Sequence, residues 1–266
     1  MKRLMIVSAL LLSASPAPLA SAPAGVVRQS DAKAEYDALN KEYRAARSAF
    51  RAELRELQNS GDEDAIAAAQ AHDPTGEFLG RFVDAAAGYA GLDEALPFLQ
   101  WIVENGSVDR PEDGILVSDE AQAALDTILR DHIASEELGS FASKLARMGR
   151  TLGNERCRDT LGTIITKSPY MSVQLAARFS RAQLTMGDSD ATKAQRRGAV
   201  KDLKTVIAES DSESTVARAT SALFELENLQ IGLIAPDIEA NDLDGIAFKL
   251  SDYRGKVVVI DFWGDW

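Results

Sequence analysis

The sequence predicts a mainly α-helical protein followed, from residue 231, by the start of an α/β unit. Two observations carry this. Between Asp31 and about Gln230 apolar residues recur at three- and four-residue spacing in a background rich in Ala, Leu, Glu, Arg and Lys, the pattern of amphipathic helices. After Gln230 the punctuation changes to Gly232, Pro236, Gly245 and Gly255 with short β-type runs between them, the pattern of strands and tight turns. The chain therefore divides into residues 1–22, a helical region 23–230 and a different unit 231–266.

Residues 1–22 have the layout of a secretory signal peptide. Lys2 and Arg3 precede the apolar run Leu4–Leu12, and small residues lead to Ala20-Ser21-Ala22, an A-x-A site with cleavage expected after Ala22. The run is well short of the roughly 20 residues that span a bilayer, which argues against an uncleaved anchor. No cysteine follows it to carry a lipid. An exported protein is expected, periplasmic or otherwise extracytoplasmic, with no membrane span after cleavage.

Composition narrows the chemistry. With 45% hydrophobic and 26% charged residues the chain is of globular type. Its formal charge of −12, about −14 once Lys2 and Arg3 are removed, repels phosphate backbones, so nucleic acid is not an expected partner. One cysteine, Cys157, and two histidines, His72 and His132, are too few for a C-x-x-C pair, an intramolecular disulfide or a structural zinc site. Neither metal nor cofactor is expected. The histidines read as surface or cap residues. Cys157 lies between Arg156 and Arg158, whose charge favours a thiolate, but no second cysteine stands ready to resolve an adduct.

The first helical segment, residues 31–62, places Tyr36, Leu39, Tyr43, Ala46, Phe50, Leu54 and Leu57 on one stripe and stops at Asn59-Ser60-Gly61. The stripe is expected to pack on neighbouring helices. Further on a phrase recurs: "LQWIV" from Leu99, "LDTIL" from Leu125, "LGTII" from Leu161 and "LKTVI" from Leu203. After the last three, a polar break leads to a second apolar-periodic segment, at Leu138–Leu145, Val173–Leu184 and Val216–Leu229. Ser118, Ser135, Ser168 and Ser214 are placed to cap the segments that follow. The region reads as irregular helical hairpins, loosely like tetratricopeptide repeats in length. An irregular helical bundle is the alternative, because the spacing of the phrases is uneven.

In the last segment, "DLDG" ahead of "IAFKL" is a hairpin-type turn into an alternating strand, and "KVVVIDFW" is a near-continuous β-branched and aromatic run, as in a strand buried on both faces of a parallel sheet. Gly232-x-x-Ala235-Pro236-Asp237, Asp242-Leu243-Asp244-Gly245, Phe248-x-Leu250-Ser251-Asp252-Tyr253-Arg254-Gly255-Lys256 and Val257 to Trp266 stand in an order that resembles the opening of a redoxin domain. Within the thioredoxin-like superfamily the resemblance is to exported thiol-disulfide oxidoreductases of the TlpA type. The expected fold class is thus a mainly α, loosely tetratricopeptide-like region followed by the truncated start of a thioredoxin-like domain.

That resemblance implies a C-x-x-C motif beginning directly after Trp266, at the N-terminus of the next helix. There the helix dipole and free N–H groups stabilise a thiolate, which attacks a disulfide, and the second cysteine resolves the mixed disulfide. Asp261 matches a buried acidic position that assists proton transfer, and Trp263 and Trp266 match tryptophans that flank the active-site turn. The catalytic cysteines are not in the sequence, which therefore reads as the N-terminal part of a longer oxidoreductase acting on a protein disulfide or dithiol substrate or redox partner. Two other readings stay open. One is an antioxidant of the peroxiredoxin type, whose domain opens with a similar phrase. The other is an exported helical scaffold for protein interaction.

Overall fold

The computed structural model describes residues 24–110, 114–230, 233–234 and 236–261. The signal-peptide expectation falls on residues outside these, as do Trp263 and Trp266. Among the described residues no helix is long and apolar enough to cross a membrane.

Helix α1 (Ala24–Ser60) is the long helix of the first stripe. Gly61, at φ 73°, reverses the chain in the left-handed region that a glycine adopts without a Cβ clash. Asp62 then caps α2 (Glu63–Gln70) by accepting the Ala65 N–H at 2.9 Å. Helix α3 (Thr75–Gly88) and helix α4 (Leu96–Asn105), joined through a 3-10 turn at Asp93–Ala95, close on the first half of α1. The stripe works as expected there: Leu39 is buried, and Tyr36, Tyr43 and Ala46 pack against the core. Aromatic rings fill the junction. Phe82 stacks flat on Trp101 with centroids 3.7 Å apart, and Tyr43 meets the Trp101 ring edge-on at 4.8 Å.

After α4 the structure departs from the expectation of helix throughout. Strands β1 (Ser107–Arg110) and β2 (Gly114–Val117) form an antiparallel hairpin with Ser107 opposite Val117 and Arg110 opposite Gly114. The local signal was present in the sequence: Pro111-Glu-Asp-Gly114 is turn chemistry, and Ile115-Leu-Val117 is a β-type run. The helical texture on either side masked it. The hairpin returns the chain so that Ser118 N–H donates to the Gly106 carbonyl at 2.9 Å.

Helices α5 (Asp119–Asp131), α6 (Leu138–Leu145), α7 (Gly149–Leu152), α8 (Asn154–Lys167), α9 (Met171–Met186), α10 (Lys193–Glu209) and α11 (Glu213–Asn228) complete the helical region. The four recurring phrases lie on α4, α5, α8 and α10, and the three segments after them fall on α6, α9 and α11. Packing is mostly between chain neighbours, α8 on α9, α9 on α10 and α10 on α11, with α6 also on α9.

Helix α9 joins two cores. Val173, Ala177 and Leu184 face the larger one, built with α3 to α6 and α8, while Leu175, Phe179 and Ala182 face a second one with Leu203, Val206 and Leu226. A helix apolar on opposite sides is buried on both. Two buried carboxylates tie the layers. Asp202 of α10 takes hydrogen bonds from Arg178 and Arg181 of α9, and Asp188, after α9, takes one from Arg158 of α8 at 2.7 Å.

The capping expectations divide. Ser118 caps α5, its Oγ accepting the Ala121 N–H at 3.1 Å. Ser212, not Ser214, caps α11, because the helix begins one residue before Ser214. Ser168 accepts a long bond from the Tyr170 N–H at 3.4 Å, and α9 starts three residues beyond it. Ser135 is buried three residues before α6 and does not cap it through its side chain: its carbonyl accepts the Leu138 N–H at 3.4 Å, while its hydroxyl finds no partner among the described residues.

Candidate functional site

The segment singled out by its residues folds locally. Strands β3 (Glu239–Asn241) and β4 (Ala247–Lys249) pair antiparallel, with Asn241 opposite Ala247. This is the hairpin expected from Asp242-Leu-Asp-Gly245. Asp242 organises the turn: its Oδ1 accepts the N–H groups of Asp244 at 3.0 Å and Ile246 at 2.8 Å, and Gly245 supplies the left-handed residue at φ 79°. Leu243 at the tip is fully exposed.

A second carboxylate pins the far end. Asp237 accepts the Ser251 N–H at 2.9 Å and the Ser251 hydroxyl at 2.6 Å, while Leu250 N–H donates to the Ile238 carbonyl. The Ser251 hydroxyl and amide hold the Asp237 carboxyl below the usual carboxylate value. A 3-10 turn at Leu250–Tyr253 follows, with Asp252 accepting the Lys249 N–H at 3.0 Å and Tyr253 set edge-on to Phe248. Gly255, at φ 85°, redirects the chain into the run that begins at Val257. Asp237 and Ser251 stand 14 residues apart, and only the fold reveals that they bond to each other.

Among the described residues the expected buried strand is not formed. Residues 257–261 have no regular secondary structure, Val257 and Val259 are almost wholly exposed, and Val258 and Ile260 are about half exposed. The physical reason lies in pairing. A central strand is defined by the ladders on both its sides, and among the described residues β3 pairs only with β4. Asp261 is correspondingly exposed rather than buried. The structure brings no other candidate residue to it, and Trp263 and Trp266 lie outside the described residues.

The other candidates are far from a reactive constellation. Cys157, on the inner face of α8, is fully buried. Burial pushes its thiol up to about 12, outweighing the opposing charges of Arg158 and Arg156. Those arginines are engaged elsewhere, Arg158 with Asp188 and Arg156 with Gln122. The thiolate that the flanking arginines suggested is therefore not favoured. His72 is an exposed residue just past α2, its Nδ1 2.8 Å from the Ala68 carbonyl oxygen. His132 caps the C-terminus of α5 and is buried, with Nδ1 3.3 Å from Asp93 Oδ1. Among the described residues no group of three or more His, Cys, Asp or Glu side chains is arranged to hold a metal ion.

Comparison with known proteins bears on the same chemistry. No family model matches the chain, and no solved structure matches it. Short stretches are similar to curated proteins. One of 47 residues is 45% identical to Thiol-disulfide oxidoreductase ResA of Geobacillus kaustophilus (strain HTA426), covering 18% of this chain and 27% of that protein. One of 36 residues is 50% identical to Thiol-disulfide oxidoreductase ResA of Geobacillus thermodenitrificans (strain NG80-2), covering 14% and 21%. One of 40 residues is 45% identical to the protein of the same name from Bacillus anthracis, covering 15% and 23%. The chain thus spans about a quarter of the length of the curated relatives it matches, and over that stretch it is similar to thiol-disulfide oxidoreductases.

Proposed function

We propose that the chain is the N-terminal part of an exported thioredoxin-like thiol-disulfide oxidoreductase, in which a helical region precedes the redox domain. The observation that carries the reading is the short similarity to thiol-disulfide oxidoreductases. The 36 residues from Ile231 to Trp266 are as many as the shorter of these matches spans. They also hold the ordered glycine, proline and aspartate positions of a redoxin opening.

Catalysis belongs to a C-x-x-C motif expected directly after Trp266. A thiolate at a helix N-terminus attacks a sulfur of the substrate disulfide, releases the other sulfur as a thiolate and forms a mixed disulfide. The second cysteine then attacks the enzyme sulfur, so the substrate leaves as a dithiol and the enzyme pair is oxidised. Asp261 is proposed to take the proton of the resolving cysteine, and Trp263 and Trp266 to shield the turn. The run from Val257 becomes the central strand once further strands flank it. In support of export, residues 1–22 carry the basic, apolar and A-x-A order of a signal peptide.

The test is the coding sequence beyond Trp266, expected to encode Cys-x-x-Cys and a further domain portion. The full-length protein should then reduce insulin disulfides with dithiothreitol as electron donor. An intact motif with no disulfide exchange would overturn the reading in favour of an interaction scaffold.

A further inference from the structure

Helix α10 concentrates positive charge in a chain whose formal charge is −12. Arg196, Arg197, Lys201 and Lys204 line one open groove of about 750 Å³ along α10 and α11, against a single acid, Glu209 at the end of α10, and its apolar floor includes Val200, Ala208 and Leu226. The opposite face of α10 is fixed in the core through Leu203, Val206 and the buried Asp202. The cations are therefore held at a fixed helical phase and are not a mobile tail.

Internal carboxylates satisfy little of this charge. Lys204 meets Glu227 at 2.9 Å in a solvent-exposed pair, which contributes little. Arg196 binds neutral oxygens, those of the Gln230 side chain and the Asp188 carbonyl. Among the described residues, Arg197 and Lys201 form no ion pair.

We propose that this groove docks an acidic amphipathic helix of a partner protein. Arg197, Lys201 and Lys204 stand four and three residues apart, so they span about 10 Å along the α10 axis. A helix laid alongside presents glutamates at the same spacing, and an adjacent apolar stripe fills the floor at Val200, Ala208 and Leu226. Electrostatics gives the partner its orientation. The acidic remainder of the chain repels it, while the groove attracts it, so register comes from both signs. The same overall charge works against a nucleic acid, whose phosphates extend beyond a four-cation groove into the repelling field.

The test is fluorescence anisotropy of the full chain with a fluorescein-labelled synthetic 18-residue peptide carrying one leucine stripe flanked by glutamates at helical spacing. Its scrambled isomer, with the same composition and no stripe, is the control. Saturable binding is expected, weakening by about tenfold or more with the isomer, and likewise with the variant Arg197→Glu/Lys201→Glu. Lys41→Glu/Arg51→Glu, the same charge change on the exposed face of α1, should leave binding within about twofold of the unsubstituted chain. Circular dichroism reports whether each variant is folded, and Arg197→Gln/Lys201→Gln replaces the reversal variant if that one is not. Absence of saturation, equal binding of the isomer, or equal binding by the folded groove variant overturns the proposal. Displacement of the peptide by an equal concentration of oligothymidine overturns it too, in favour of a general polyanion surface.

Discussion

Arg181 holds Asp202 in a two-point grip, Nε to Oδ2 at 2.7 Å and Nη2 to Oδ1 at 2.9 Å, and the Asp202 carboxylate is all but sealed from solvent between α9 and α10. Arg178 adds a third bond at 3.0 Å. A buried carboxylate pairs well only when its oxygens are filled in this way. Replacing Asp202 by Ala leaves two guanidinium groups facing the packed α9–α10 junction. Because both arginines keep partial access to water, the cost is expected at about 2–3 kcal/mol rather than the upper range for sealed pairs. Urea unfolding of Asp202→Ala measures it.

Asp188 adds a pH signature. The Arg158 hydrogen bond, with help from the Asp190 amide, holds its carboxyl below the usual value of 3.8. The folded state thus binds this proton less readily than the unfolded chain, so the stabilisation is present above about pH 3.8 and is lost as pH falls further, through the lowered folded value. Acid unfolding followed by far-ultraviolet circular dichroism should show Asp188→Asn less stable near neutrality and less steeply pH-dependent below pH 4.

Phe82 is completely buried and stacked on Trp101. Phe82→Ala removes the stacked ring from between α3 and α4 and should destabilise by about 3–5 kcal/mol. Denaturant titration gives the loss, and the Trp101 emission should shift to the red as water reaches the indole.

Two glycines separate space from conformation. A Cβ at Gly106 would lie 2.8 Å from both the Ala121 Cβ and the Ile102 carbonyl oxygen, whereas at Gly80, exposed within α3, it would meet nothing within 4 Å. Gly106→Ala is expected to cost about 1–3 kcal/mol by overpacking, and Gly80→Ala to stabilise by about 0.5–1 kcal/mol through helix propensity. Thermal melts of the two variants should move in opposite directions.

Cys157 should be inert in the native state. With its thiol buried and pushed up to about 12, Ellman's reagent at pH 8 is expected to detect no thiol in the folded chain and one after guanidinium unfolding. An unfolded thiol ionises near 9 while the folded one does not, so stability should also fall as pH rises from about 9 towards 12. Rapid labelling of the native protein would contradict the burial.

The helical region was legible because helix information is local. The period of Tyr36, Leu39 and Tyr43 along α1, the stop at Gly61 and the cap at Ser118 all act within a turn or two of chain. The β3–β4 turn was legible for the same reason, since Asp242 and Gly245 satisfy and bend the backbone of their own loop. The cap at Ser212 was missed by two residues because several serines in that stretch can each accept an early amide, and the helix register chooses among them.

Other features needed the fold. The β1–β2 hairpin lies between helices that drown its short signal. Nothing at Cys157 tells a reader that Arg156 and Arg158 turn to Gln122 and Asp188 while the sulfur turns inward. The same holds for Asp202, one acid among many until α9 brings two arginines to it. The run from Val257 marks the limit from the other side. Its residues prefer a strand, but a strand is a relation between chain segments, and without neighbouring ladders that preference leaves Val257 and Val259 in water. Local periods, caps and turns can be read from the residues alone, because their energetics close within a few residues of chain. Burial, ion pairing and the phase of the α10 cations come from the packed fold, because each depends on which distant residues the helices bring together.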